Sequence, residues 1–311
     1  MKPKHGLHYL GNSSQKACRF CGKTEKEVTF NKVAHVFPES IGNRALASYY
    51  ECDNCNQYFG NSIENDYGKF FQVYHNIMNV SGQKFMMKVP CALRTEECKK
   101  YCIEIEWIDN QCQIGSCHEV DSHYIQMGDR NSVISLPIPK CNPIAVFKAL
   151  VKMAIAVLPF TELNLFSNTI AWLLEKNHKN IHTSDKRLLI KYQMIPGFNV
   201  TKHPHFIVFR RKSTVSGVPY MLFNLTYGCF SLLIEVPRDY DHTTETIKKT
   251  PFPPIPFYTS DSGCWDMSNG ALQTNQVHKI TLRHNIPQEV TGQVRTVNKN
   301  GRRKFELSDD N

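Results

Sequence analysis

Downstream of Cys55, apolar residues recur every four positions: Phe59, Ile63, Tyr67 and Phe71. That spacing predicts one apolar stripe along a helix of about five turns. After Gly82 the period changes to two. Residues 84–89 (KFMMKV), 101–108 (YCIEIEWI) and 112–117 (CQIGSC) are predicted strands, with Asp109-Asn110 as a hairpin turn. Asn142-Pro143 then supplies a helix N-cap followed by a first-turn proline. It opens the most apolar run of the chain, IAVFKALVKMAIAVLPF (144–160), which Lys148 and Lys152 interrupt and Pro159 closes. A second helix is predicted near Thr161, with Leu165, Phe166, Ile170, Leu173 and Leu174 on one side. Strands are expected again at 187–195, 205–211, 219–227 and 229–236. PFPPIPFY (251–258) reads as a proline-rich loop or edge, and the tail KNGRRKFELSDDN (299–311) is expected to fray.

The pattern gives an α+β chain in three parts. Residues 1–17 form a polar arm, 18–80 a small Cys-rich domain, and 81–311 a larger mixed α+β domain. At 311 residues the chain is long enough for roughly two domains. The apolar run at 144–160 is too short and too charged to span a membrane, and reads as a buried helix. The start of the chain lacks the apolar core of a signal peptide, so the expected location is cytoplasmic. Twelve cysteines in a reducing compartment point to metal before disulfide.

The net charge of +9 suits a polyanionic partner without specifying one. Residues 1–80 hold nine Lys/Arg against seven Asp/Glu, so most of the excess lies in residues 81–311.

Cys18-x2-Cys21 and Cys52-x2-Cys55 are two knuckles, each able to present two thiolates to one structural, tetrahedral zinc. The 30 residues between them exceed the roughly 15–20 of a simple zinc ribbon. That length suits a β-hairpin between the knuckles and a helix opened by the second. Cys98, Cys102, Cys112, Cys117 and His118 offer a weaker second cluster, for which free thiols are the simpler reading. His178, His182, His203 and His205 lack partner ligands in their surroundings.

The set CRFC (18–21), AHVFPESIGN (34–43) and ECDNCNQYFGNSIEND (51–66) resembles the HNH endonucleases, the zinc-stapled His-Me-finger or ββα-metal nucleases, over about residues 18–72. The resemblance implies a treble-clef-like fold in which a β-hairpin and a helix hold a divalent cation between them. By that resemblance His35 is the general base and Asn56, directly after the second knuckle, holds the catalytic Mg2+ or Mn2+. The implied substrate is nucleic acid, expected to be DNA, and a bacterial defence or restriction-type effector is one setting for it. The chemistry is coherent by itself. Phosphodiester hydrolysis needs a base titrating near neutrality, which imidazole provides. It also needs a hard cation, which an amide oxygen suits.

The family pattern puts an acidic residue or a histidine just before the catalytic histidine; here Ala34 stands, which cannot coordinate. The middle asparagine of the motif has no counterpart in ALASYYE (45–51). Glu39, Glu64 and Asp66 are the nearest carboxylates in sequence. Asn56 also has a bland reading as a helix cap. Lys32 and Arg44 read either as phosphate contacts or as solvated charges. Pro38, Gly42 and Asn43 read as turn-formers. The rival reading of the whole is a catalytically inactive zinc module that binds nucleic acid. Residues 81–311 are expected to position substrate or to recognise a regulatory protein or ligand.

Overall fold

The computed structural model describes residues 6–14, 16–80, 87–89, 103–108, 111–116, 125–127, 131–181, 187–195, 201–212, 219–238, 261–269, 277–283, 295–299 and 302–306. In chain order the elements are β1 (His8–Leu10), β2 (Ala34–His35), β3 (Leu46–Ser48), α1 (Asp53–Asn61), α2 (Ile63–Phe70) and α3 (Gln72–Met78). Then come β4 (Met87–Val89), β5 (Ile103–Ile108), β6 (Gln111–Ser116), β7 (Ile125–Met127) and β8 (Asn131–Pro137). They are followed by α4 (Pro143–Val157) and α5 (Ser167–Leu174). Next are β9 (Leu189–Met194), β10 (Thr201–Arg210), β11 (Met221–Gly228), β12 (Phe230–Glu235) and β13 (Asp261–Asp266). The last are β14 (Val277–Arg283), β15 (Arg295–Lys299) and β16 (Arg302–Glu306). The mixture is α+β, with the cysteine knuckles near the N-terminus and a larger sheet-rich region after them.

Two compact units interleave along the chain. One takes residues 1–70 and 140–272, the other 71–139 and 273–311. The first contains a three-stranded sheet ordered β1-β3-β2, in which β1 runs parallel to β3 and β2 antiparallel to it. It also contains a five-stranded sheet ordered β10-β11-β12-β9-β13, antiparallel throughout. The second unit contains sheets ordered β14-β8-β7 and β15-β16-β6-β5-β4. There Tyr74 of α3 meets His278 of β14 edge to face, with ring centroids 4.7 Å apart.

The predicted five-turn helix is three shorter helices, and the first break has a local cause. The Ser62 hydroxyl turns back to donate to the Tyr58 carbonyl at 2.6 Å, and the Ser62 N–H is shared between the Tyr58 and Phe59 carbonyls. A serine that bonds back onto the preceding turn bends or ends a helix. The apolar stripe survives the break: Phe59, Ile63, Tyr67 and Phe71 are all fully buried.

Asn142 caps α4 as expected, its side chain accepting from the N–H groups of Ile144 and Ala145. The helix is buried on nearly every side, Lys148 and Lys152 included. The helix predicted near Thr161 instead opens as a 3-10 turn, Phe160–Phe166, before α5 begins. Its buried residues are Leu163, Phe166, Thr169, Trp172 and Leu173, so the stripe differs from the predicted one.

The predicted strands reappear with shifted ends, and β7, β8, β13, β14 and β15 are among the additional ones. The tail expected to fray contains β16, which pairs antiparallel with β15 and with β6. The polar N-terminal arm contributes β1. The proline-rich stretch 251–258, the turn at 109–110 and the side chains of the second Cys/His group lie outside the described residues.

Candidate functional site

The site is built on a short hairpin laid against α1. β2 pairs with β3 through Ala34 with Ser48 and His35 with Ala47. Between the strands, a 3-10 turn (Glu39–Ile41) ends at Gly42, whose φ of 87° is a left-handed conformation that glycine adopts at no steric cost. The buried Asn43 ties that turn down. Its amide nitrogen donates to the Phe37 and Leu46 carbonyls, both at 2.8 Å, and its oxygen accepts from the N–H groups of Ala45 and Leu46. Gly42 and Asn43 are therefore turn-formers, as their residue types suggest.

Cys18, Cys21, Cys52 and Cys55 bring their sulfur atoms within 4.8 Å of one another. Four thiolates at about 2.3 Å from a tetrahedral zinc stand about 3.8 Å apart, and the Cys21 and Cys52 sulfurs are 3.8 Å apart. The donor set and its spacing fit a structural zinc. Hydrogen bonding from Cys55 draws the Cys18 thiol down to about 5 against the opposing effect of burial. Burial pushes Cys52 up to about 11. Cys52 is also the residue before α1, so the second knuckle opens the helix as the spacing predicts.

Asp53, the first residue of α1, fixes the loop that leads into β2. Its carboxylate accepts from the Thr29 hydroxyl at 2.6 Å, the Asn31 N–H at 3.0 Å and the Lys32 N–H at 2.8 Å. Burial pushes this carboxyl up, but the hydrogen bonds from Thr29, Lys32 and Asn31 outweigh it and hold the group below its ordinary range. Three residues on, the Asn56 amide nitrogen donates to the Val33 carbonyl at 3.3 Å. With the nitrogen so engaged, the oxygen is the acceptor end of that amide.

His35 is half-buried, and its Nε2 lies 3.2 Å from the Glu39 carboxylate across the first turn of the loop. Of the three carboxylates nearest in sequence, Glu39 stands beside the histidine. Glu64 binds Lys152, and Asp66 accepts from the Asn142 N–H at 3.0 Å and pairs with Lys69. Ala34 is buried. Lys32 and Arg44 are both exposed.

The four-sulfur cluster, the hairpin and the helix that opens on the second knuckle all fall within one stretch of chain. Residues 18–72 match the HNH endonuclease family. The HNH match covers both knuckles, the hairpin, α1 and α2, and ends before α4. No curated protein and no solved structure matches the chain. The family is one of nucleases, so the match suggests nuclease activity and implies nucleic acid as the class of substrate. Among the described residues, no helix is long and apolar enough to cross a membrane.

The HNH segment is locked onto α4 by charged side chains that the sequence pattern does not announce. Lys152 is fully buried. Its ammonium lies 3.1 Å from Glu51, 2.9 Å from Glu64 and 3.3 Å from the His35 carbonyl, to which it donates. Burial works against this charge, but the two carboxylates more than offset it and hold the ammonium above its usual range. Burial pushes the Glu51 carboxyl up to about 7, with Lys152 acting against the rise and Glu64 adding to it. At the far end of α4, Arg19 donates to the Ile155, Ala156 and Leu158 carbonyls at 2.6, 2.8 and 3.2 Å. A guanidinium is well suited to the orphan acceptors of a helix C-terminus.

Two signals were available for these residues. Asp53 is an acid in the first turn of a predicted helix, a usual place for an organising carboxylate. Lys152, like Lys148, is a cation inside a largely apolar helix, which demands a buried partner.

Proposed function

We propose that residues 18–72 form the reaction centre of a metal-dependent endonuclease that hydrolyses DNA phosphodiester bonds. The observation that carries this reading is the bond from the Asn56 amide nitrogen to the Val33 carbonyl. It ties the first turn of α1 to the strand of His35 and leaves the Asn56 oxygen as a hard donor. Asn56 would hold Mg2+ or Mn2+, whose chemistry is to neutralise the scissile phosphate and the leaving oxygen. His35 takes the proton from the attacking water. The ring's Nδ1 is buried, so the proton is taken at Nε2, and the Glu39 carboxylate, 3.2 Å from that atom, must move aside to admit the water. The four cysteines hold zinc and take no part in the reaction, because a closed thiolate site offers no open coordination position. Lys32 and Arg44, both exposed, are the candidate phosphate contacts.

Nicking of plasmid DNA with Mg2+ or Mn2+ tests the reading. His35→Ala should lower kcat by about 10²–10⁴ at unchanged zinc content, because the Lys152 contact uses the His35 main chain and survives the substitution. Asn56→Ala should weaken Mn2+ binding in calorimetry. Equal nicking by wild type and His35→Ala removes the catalytic role. The buried Ala34, in place of a ligand, favours the rival reading of a zinc module that binds nucleic acid without cutting it. DNA binding with no metal-dependent cleavage by the wild type would decide for that rival.

A further inference from the structure

The side chains that fix the His35 strand come from two directions. Asn56 on α1 holds the Val33 carbonyl, and Lys152 on α4 holds the His35 carbonyl. We infer that Lys152 is a positioning residue for His35, so that the reaction centre is completed by a helix lying outside the HNH-matched segment. The inference rests on the nuclease reading for its kinetic test and on geometry alone for its spectroscopic one.

Three observations carry it. First, β2 is only two residues long and pairs with β3 at two positions, so its own ladder fixes the histidine weakly. A ligand or base displaced by about 1 Å can lose two orders of magnitude in rate. A main-chain tether on the histidine itself is therefore worth more than its share of stability. Second, stability gives little reason for this arrangement. Buried ion groups are commonly matched or bettered by apolar residues of similar volume, and apart from Lys148 the rest of α4 is apolar. What an apolar residue cannot supply is the donor to the His35 carbonyl. Third, the triad reaches the site on three fronts. Glu51 immediately precedes the knuckle at Cys52, Glu64 lies on α2, and the His35 carbonyl lies on β2. One ammonium thus registers α4 against the zinc knuckle, the second helix and the histidine strand. Lys152 also lies 5.6 Å from the centre of the Phe59 ring, which closes its remaining side.

Lys152→Met alone strands two carboxylates and can fail to fold, so the decisive protein is the neutral triad Lys152→Met/Glu51→Gln/Glu64→Gln in the full-length chain. Zinc content and the thermal midpoint report its fold. Mn2+-dependent nicking reports kcat and KM, and the imidazole NMR signals of His35, assigned by their loss in His35→Ala, report the ring's placement. The expected result is a folded, zinc-loaded protein with KM within about twofold of wild type. Its kcat should fall about tenfold to a hundredfold, with the His35 signals shifted or broadened. A folded, zinc-loaded triple variant with wild-type kcat and unchanged His35 signals overturns the inference. Should the wild type cleave no DNA at all, the nuclease reading fails, and the His35 signals still decide whether Lys152 positions the ring.

Discussion

The hairpin that carries His35 and the sheet that shares its unit are built on different plans. β2 and β3 pair at two positions, whereas β11 and β12 pair at six, from Leu222 with Glu235 to Tyr227 with Phe230. The long strands are held by burial: Phe223, Leu225, Tyr227, Phe230, Leu232, Leu233 and Ile234 are almost wholly inaccessible. The hairpin has few ladder bonds of its own, and an isolated two-stranded hairpin is marginal in water. β1, however, adds a third strand beside β3, and Ala34, Val36, Phe37, Ile41 and Ala47 are buried. To that burial the hairpin adds specific polar devices: the thiol cluster, Asp53 on the loop before β2, Asn43 on the turn after it, and Lys152 on the histidine carbonyl. Burial is tolerant of detail, while each of these devices depends on one atom in one place. The region proposed to do chemistry is thus the region where single side chains decide geometry.

Substitutions can break this contrast in a graded way. The largest effect is expected from Cys52→Ser or from chelation of zinc. Either should abolish the hairpin, read as zinc release and rapid proteolysis within residues 18–72. If the hairpin resists proteolysis after zinc is lost, the thiol cluster is not what holds it. Phe230→Ala, in the burial-held sheet, should cost about 3–5 kcal/mol in urea unfolding and leave the zinc content of the folded protein unchanged. Loss of zinc from that variant under native conditions would show that the two plans are not separate.

Asp53→Ala should cost less, about 1–2 kcal/mol, because its partners in the 29–32 loop can turn to water. It carries a pH signature as well. The folded carboxyl ionises more readily than the unfolded one, so Asp53 stabilises the fold above the ordinary carboxylate range. That contribution is lost as the pH falls through its lowered folded value. Urea midpoints measured down an acid series should therefore fall less steeply for Asp53→Ala than for wild type. Parallel curves would mean that the loop is fixed without this charge.

What the sequence made legible follows the same division. The knuckle spacing, the turn at Gly42-Asn43, the cap at Asn142 and the apolar stripe from Phe59 to Phe71 are short-range patterns, and each is found in the structure. The helix break at Ser62 was not legible, because the stripe continues at the same spacing across it. Lys148 and Lys152 read as interruptions of an apolar helix. Both are buried, since Lys148 donates to the Glu175 carbonyl and Lys152 finds two glutamates some ninety to a hundred residues earlier. A pairing over that separation leaves no periodicity to detect. The same holds for Glu39: its place beside His35 depends on the turn between them, although its i,i+4 spacing was there to be read.

Arg19 sits inside the first knuckle, between Cys18 and Cys21, and its guanidinium is spent on the last carbonyls of α4. On the ribosome the knuckle emerges long before that helix exists. Until residue 158 has been made, the nascent hairpin lacks both the acceptors for Arg19 and the ammonium for Glu51. The HNH-matched segment therefore gains these packing partners only after about half the polypeptide has been translated.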